Sequence, residues 1–327
     1  MSTASSLPVV ELLADMGGLL DNITFTNNTV RFTSGSCSDT SPVFSFTSLP
    51  LGSRNAGIHV SKGENIKILK NEIQSCFREA ILVRGNRNTE IASNHIYGVF
   101  QRGIWLMNSI WSYIENGSLS YYSDNVSIHH NQIESVKGQL GITCLRAGIG
   151  GEEFALDDPG TKNYIHFNDI AMDEAYLSSS IGCCDAASLE GPNGILFIDT
   201  QTQKFEVKNN ILYNNKYGLR KEASVTLDRV IHKYNDFYGS ETAEYSGGFT
   251  SGIGEITNDP RYRTVGGGME NFNFILQAVP PVSPAIDTGD PDDSFENEPN
   301  PNGCRVNMGS YGNTGRATSR PGASHCP

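Results

Sequence analysis

The chain has 327 residues, 38% of them hydrophobic, with 34 glycines, 14 prolines and only 18% charged residues. It is long enough to bury a substantial core, and a turn-rich, charge-poor composition suits an all-β protein better than a helical one. A formal net charge of -12 excludes an unassisted grip on nucleic acid or an anionic membrane, and it disfavours a polyanionic sugar unless a cation intervenes.

The first apolar segment, Leu7 to Met16, is too short for the ~20 residues of a membrane span and lacks the basic start of a secretory signal. No other apolar run is long enough, so no membrane span is expected. Ser6 as an N-cap and Gly17 just past the end predict a short helix here, and residues 1–21 are read as a cap on the rest of the chain.

From residue 22 to about 240 one pattern recurs, apolar-x-x-Asn-x-apolar. It is met at Phe25/Asn28/Val30, Ile68/Asn71/Ile73, Ile91/Asn94/Ile96, Ile128/Asn131/Ile133, Ile165/Asn168/Ile170 and Val207/Asn210/Leu212. A seventh copy, His232/Asn235/Phe237, departs only in its first member. Ahead of the middle copies stand short strands introduced by a small residue, among them Gly57-Ile58, Ala80-Ile81, Gly103-Ile104 and Gly218-Leu219. Ile58, Ile81 and Ile104 follow one another at 23 residues, as do Ile68 and Ile91. A fixed period of this size marks a solenoid, whose units bury their apolar edges only by stacking. The strands are short, β-branched and alternating, as in Ile58-His59-Val60, so each unit is a coil of β-strands. The asparagines are expected to take the left-handed turn between strands and to hydrogen-bond one another from coil to coil. Seven or eight coils at ~4.8 Å each give a rod core roughly 35 Å long. Surplus residues leave this rod as loops at about 108–121, 146–160 and 171–192.

The repeat resembles that of the pectate-lyase-like superfamily of right-handed parallel β-helix proteins. The tail, 241–327, carries Asp259-Pro260, Ser283-Pro284-Ala285-Ile286-Asp287-Thr288-Gly289 and Gly309-Ser310-Tyr311-Gly312. It is similar to the closing segment of bacterial surface β-helix proteins of the choice-of-anchor type. That resemblance implies an extracellular or cell-surface protein whose tail closes the solenoid end. The superfamily holds polysaccharide lyases, hydrolases and epimerases beside adhesins, so fold alone does not assign catalysis. The Asp-Pro-His-Glu motif of the alginate epimerases is not met here, nor a close copy of the paired aspartates of polygalacturonases.

On the outward side of the first strand of each coil, alternation places a column of His59, Leu82, Trp105, Thr143, Leu196 and Arg220. Beside it runs a second column, Ser61, Arg84, Met107, Leu145, Ile198 and Glu222. The mix suggests a face partly covered by the loops. Trp105 with Trp111, Tyr113, Tyr121 and Tyr122 of the first loop offers rings suited to stacking on a sugar. Glu152, Glu153, Asp157 and Asp158 of the neighbouring loop offer carboxylates for a calcium ion. Lyase chemistry on a uronic sugar needs a charge to neutralise the carboxylate and a base to take the adjacent proton. Arg84, Arg146 and Arg220 can supply the first, and Lys221 or Tyr122 the second.

The remaining features read as structural. The seven cysteines lack the paired spacing of a zinc site; Cys144 falls at an inward strand position, and Cys304 and Cys326 can form a disulfide in the tail. Asp287, Asp290, Asp292, Asp293, Glu296 and Glu298 gather in one loop, read as solvated acid with calcium as the alternative. His129 and His130 point in alternate directions and are read as turn residues. Sequons occur at Asn22, Asn27, Asn116 and Asn125, of which Asn22 and Asn125 share the coil register of Asn65 and Asn88. Two functions are compatible with these features. One is a surface protein that binds polysaccharide, with or without cleaving it; the other is a structural or adhesive rod that self-associates through strand edges at the solenoid ends.

Overall fold

The computed structural model describes residues 10–13, 20–31, 56–74, 79–98, 102–111, 119–121, 123–134, 140–146, 162–171, 193–198, 204–222, 225–265 and 272–323; of 10–13, 31, 108–111, 119–121 and 140–146 it describes only the backbone. The chain winds through three parallel sheets in turn, so each circuit places one strand in every sheet and the next circuit stacks upon it. This is a right-handed parallel β-helix. The first sheet runs from Val10–Leu13 through Ala56–Ser61, Glu79–Arg84, Arg102–Trp111, Leu140–Arg146, Asn193–Ile198 and Tyr217–Lys221 to Ala243–Ser246. The second runs through Lys67–Leu69, Arg87–Ala92, Asp124–His129, Lys162–His166, Lys204–Lys208 and Val230–Lys233. The third runs from Thr29–Arg31 through Glu72–Gln74, His95–Tyr97, Gln132–Glu134, Asp169–Ala171 and Ile211–Tyr213 to Asp236–Tyr238.

The core follows from the repeat. Its two apolar members lie inward on the second and third sheets, and the small-residue strands contribute inward Ile58, Ile81, Ile104, Ile195 and Leu219, all at 0% exposure. The small residues themselves answer to space, since a Cβ at Gly194 would collide with Leu212 and one at Gly218 with Phe237. Strands end at Arg146 and Ala171 and resume at Lys162 and Asn193, and the second and third insertions between them lie outside the described residues. The first begins as a hairpin, because Arg102–Trp111 outruns its sheet and pairs antiparallel with Leu119–Tyr121.

Each ladder asparagine donates from Nδ2 to Oδ1 of the next coil's asparagine: Asn71 to Asn94, Asn94 to Asn131 and Asn131 to Asn168, each at 3.0 Å. The second Nδ2 hydrogen goes back to the preceding coil, as from Asn94 to the Ile68 carbonyl at 2.9 Å. Oδ1 of each also accepts the backbone N–H of the previous asparagine, as Asn94 accepts from Asn71 at 3.0 Å. The left-handed conformation, however, belongs to the residue before. Asn27, Lys70, Ser93, His130, Phe167, Asn209 and Tyr234 carry φ of 50–57°, and the ladder asparagines do not. An asparagine whose side chain must reach along the ladder keeps an ordinary backbone, and the turn is made one position earlier.

Three expectations change. Val10–Leu13 is a strand paired in parallel with Ile58–Ser61, so the predicted capping helix is instead the first rung of the first sheet; the rest of Leu7 to Met16 lies outside the described residues. The solenoid also outlasts residue 240. Ala243–Ser246 continues the first sheet, and bridges Lys233 to Ile253 and Asp236 to Ile256 extend the other two. Third, the tail meets the end of the solenoid only through its first part, where Phe249 joins the core and Glu255 takes the last ladder amide. The rest folds back along the flank, where Tyr262, Phe274, Leu276, Ile286 and Met308 pack against Ala171 and Ile211 of the third sheet. Asp169 fastens it, accepting from Tyr262 Oη at 2.7 Å and Ser310 N–H at 2.8 Å.

Of the tail's acids, Asp292 and Glu296 are exposed as expected, whereas Asp290, Asp293 and Glu298 are engaged. Asp290 pairs with Lys233 at 2.7 Å and Lys208 at 3.3 Å, and Asp293 pairs with Lys208 at 2.6 Å. Buried Glu298 accepts the N–H groups of Asn307 and Asn313. Cys304 is disulfide-bonded, with its partner among the cysteines outside the described side chains.

Candidate functional site

On the first sheet, where sequence places the binding column, His59, Leu82, Trp105 and Leu196 are buried and Arg220 is half-buried. The sheet's register reproduces the column, His59 beside Leu82, Leu82 beside Trp105, Trp105 beside Thr143 and Leu196 beside Arg220. Yet Trp105 is 1% exposed and packs with Ala56, Leu82 and Met107 in a second apolar cluster. The Arg102 guanidinium lies 3.9 Å from its ring centroid and pairs with buried Glu79 at 3.0 Å. Trp105 is therefore a packing residue in this structure.

Among the described residues, the proposed lyase groups Arg84, Arg220 and Lys221 do not converge. Arg84 is buried at the end of its strand, and Arg220 lies four strands further along in the other column, ~19 Å away at ~4.8 Å per strand. The Arg220 guanidinium sits over Tyr217, 4.9 Å from its ring centroid. Lys221 is in register with inward Phe197, so it belongs to the core row, and its Nζ donates to the Glu222 carbonyl at 3.4 Å. The backbone of Arg146 pairs with Asn108, that of Trp111 with Leu119 and that of Tyr121 with Ser109; their side chains lie outside the described residues. Tyr113, Tyr122, Glu152, Glu153, Asp157 and Asp158 lie wholly outside them. Among the described residues no group of three or more acidic, histidine or cysteine side chains is placed to hold a metal ion.

The outward face of the second sheet carries a different set. Alternation on four successive strands places two side chains of each outside. Register aligns them in one row of Glu90, Ser127, Tyr164 and Glu206, and a second of Ala92, His129, His166 and Lys208. His129 Nε2 stands 3.4 Å from Glu90 Oε1, and His166 Nε2 stands 3.4 Å from Glu206 Oε1. Lys67 reaches Glu90 at 3.6 Å, while Lys162 and Lys208 each reach Glu206 at 3.5 Å. The side chains of Glu90, His129 and Lys162 are 36%, 26% and 37% exposed, so a solute can touch this face.

Its electrostatics are uneven. The hydrogen bond from His166, then the charges of His166 and the two lysines, hold the Glu206 carboxyl down at about 2 against the effect of burial. Burial lowers His129, with His166 acting the same way and Glu90 opposing. His130, the left-handed turn residue, is pushed down to about 4, chiefly by burial and then by His129. Its ring stacks on Phe167, its Nε2 meets the Gly312 carbonyl at 2.9 Å and its Nδ1 meets His129 Nδ1 at 2.7 Å. The two histidines are thus in contact although they alternate in direction, which sequence does not anticipate. The signal is in the sequence, since outward positions of the repeat at 127, 129, 164, 166, 206 and 208 are polar.

Residues 16–152 match the family model described as right handed beta helix region. The match ends just after the strand Leu140–Arg146, whereas the three sheets of the β-helix continue to Asp236–Tyr238 and Ala243–Ser246. Neither the comparison with curated proteins nor that with solved structures finds a match.

Proposed function

We propose that this β-helix is an extracellular or cell-surface protein that binds polysaccharide along the outward strip of its second sheet, most open at Glu90, His129 and Lys162. The observation that carries the reading is the strip itself: eight outward positions on four consecutive strands, in two straight rows, repeating at the ~4.8 Å spacing of stacked strands. That repeat is comparable to the length of one sugar unit in an extended glycan. Carboxylates, imidazoles and lysines offer acceptors and donors for hydroxyl groups, and the Tyr164 ring between Ser127 and Glu206 offers an apolar face for stacking. Binding without cleavage is the form the geometry favours, because Arg84 and Arg220 stand four strands apart on the outward face and Lys221 lies in the inward row. Wild type and Tyr164→Ala, tested by affinity electrophoresis against neutral and uronate polysaccharides with and without calcium, decide the matter. Retardation by at least one polymer, reduced at least about tenfold in affinity by Tyr164→Ala, supports the proposal. Without retardation by any polymer it fails, and the structural or adhesive reading takes its place. A calcium requirement would return attention to Glu152, Glu153, Asp157 and Asp158.

A further inference from the structure

The proton positions around His129 can be deduced from its partners. A carbonyl oxygen only accepts, so His130 must hold a hydrogen on Nε2 to bond Gly312. With His130 neutral, its Nδ1 carries a lone pair, and the 2.7 Å contact then requires the hydrogen to sit on His129 Nδ1. In neutral His129 the remaining nitrogen, Nε2, has a lone pair, and it faces Glu90 Oε1 across 3.4 Å. Two acceptors thus stand side by side on an exposed face, a pairing that calls for a ligand bringing hydrogens.

Resting on the polysaccharide reading of the strip, we infer that the tail-anchored relay from Gly312 through His130 holds His129 in its Nδ1–H tautomer, so that His129 Nε2 and Glu90 together receive adjacent hydroxyl groups of a neutral glycan. His130 is then a positioning residue and His129 a binding residue. The charged and titratable groups around the pair are Lys67 beside Glu90, His166 and Lys162 on the following strand, and Glu206 and Lys208 on the next. A polyuronate brings carboxylates, which meet Glu90 and a lone pair in place of donors, and the net charge of -12 opposes it further. The relay also joins two distant parts of the chain, since Gly312 lies 182 residues from His130.

The test has two independent readouts at pH 7.5, above the range in which either histidine takes a second proton. Long-range proton–nitrogen spectra of imidazole-labelled protein should show His129 as the Nδ1–H tautomer and His130 as the Nε2–H tautomer. In His130→Phe, which keeps a ring against Phe167, His129 should shift toward Nε2–H. Affinity for hydroxyethyl cellulose should fall about tenfold, the loss of roughly one good hydrogen bond, and affinity for sodium polygalacturonate should not fall. An Nε2–H tautomer of His129 in the wild type overturns the relay. Tighter binding of polygalacturonate than of hydroxyethyl cellulose overturns the ligand class. Correct tautomers with no binding of either polymer overturn the polysaccharide reading and its ligand class, and leave the relay standing.

Discussion

Asn235 Nδ2 donates to Glu255 Oε1 across 2.9 Å, and there the asparagine ladder ends on a carboxylate. The ladder has a direction, every amide giving its hydrogen toward the C-terminal end, so its last donor needs a partner that only accepts. Glu255 fills that place. It also takes His232 Nδ1 at 2.9 Å, Tyr245 Oη at 2.8 Å and the Gly252 N–H at 2.6 Å. His232 is the irregular first member of the seventh repeat, and its departure from the apolar pattern is explained by this bond.

Replacing Glu255 with alanine should therefore remove the acceptor of four donors beneath a fully enclosed side chain. We expect a loss of about 3 to 5 kcal/mol in urea unfolding, as for a broken buried ion pair. Glu255→Gln, which keeps one acceptor oxygen but turns an amide toward donors, should lose about 1 to 3 kcal/mol. Equal stability of all three proteins would show that the ladder needs no terminal acceptor.

The separation of ladder and turn gives a second prediction. Asn94→Val deletes bonds to Asn71, Asn131 and Ile68, and should cost about 2 to 4 kcal/mol. Ser93, at φ 56°, is where a β-branched residue meets backbone strain, so Ser93→Val should cost about 1 to 3 kcal/mol while Ser93→Gly is neutral or better. Exposed Lys67→Val should stay within about 0.5 kcal/mol of wild type. A destabilised Ser93→Gly would contradict the placement of the turn.

Trp105 gives a third. As a residue packed with Leu82 and Met107 beneath Arg102, it should report on folding rather than binding. Trp105→Ala is expected to cost about 3 to 5 kcal/mol in unfolding. In a Trp111→Phe background, Trp105 emission should be blue-shifted, poorly quenched by iodide and unchanged by any polysaccharide that binds. Strong quenching that the polysaccharide relieves would restore it to the sugar contacts.

The sequence made the coil register legible because one period governs every strand, so Asn71, Asn94 and Asn131 could be aligned without coordinates. It could not assign the left-handed residue, since asparagine is suited to both tasks and only the ladder's reach decides that Ser93 makes the turn. Nor could it show that the first-sheet column is covered, because alternation tells which side a residue faces and not what lies upon it. The tail's docking was hidden for another reason. Asp290 meets Asn209 81 residues away and Ser310 meets Asp169 141 residues away, distances over which no local pattern carries information. Two of the acids read as solvated, Asp290 and Asp293, meet Lys208 and Lys233 in this way.

Four other carboxyls, two on the third sheet and two in the tail, set the response to pH. Burial raises Asp169 to about 6 against the bonds from Ser310 and Tyr262, raises Asp287 to about 6 and Glu298 to about 7, and raises Asp236 as well. A carboxyl with a raised folded pKa binds its proton more readily in the native state. The stability it contributes is fully present below its unfolded value near 4 and is lost as pH climbs through 6 to 7. His130, lowered to about 4, and His129, also lowered, act oppositely, losing stability as pH falls from about 6.5. Glu206, held down at about 2, loses its contribution only below its ordinary range near 4.5. Four raised acids against two lowered histidines leave a net gain on mild acidification. Thermal unfolding should therefore show a higher Tm near pH 5 than near pH 8, with a fall below about pH 4. Asp169→Asn, neutral at every pH, should flatten the decline in Tm from pH 5 to 8. A Tm that climbs steadily from pH 5 to 8 in the wild type would mean that the histidines dominate and that these four carboxyls are ionised where they lie.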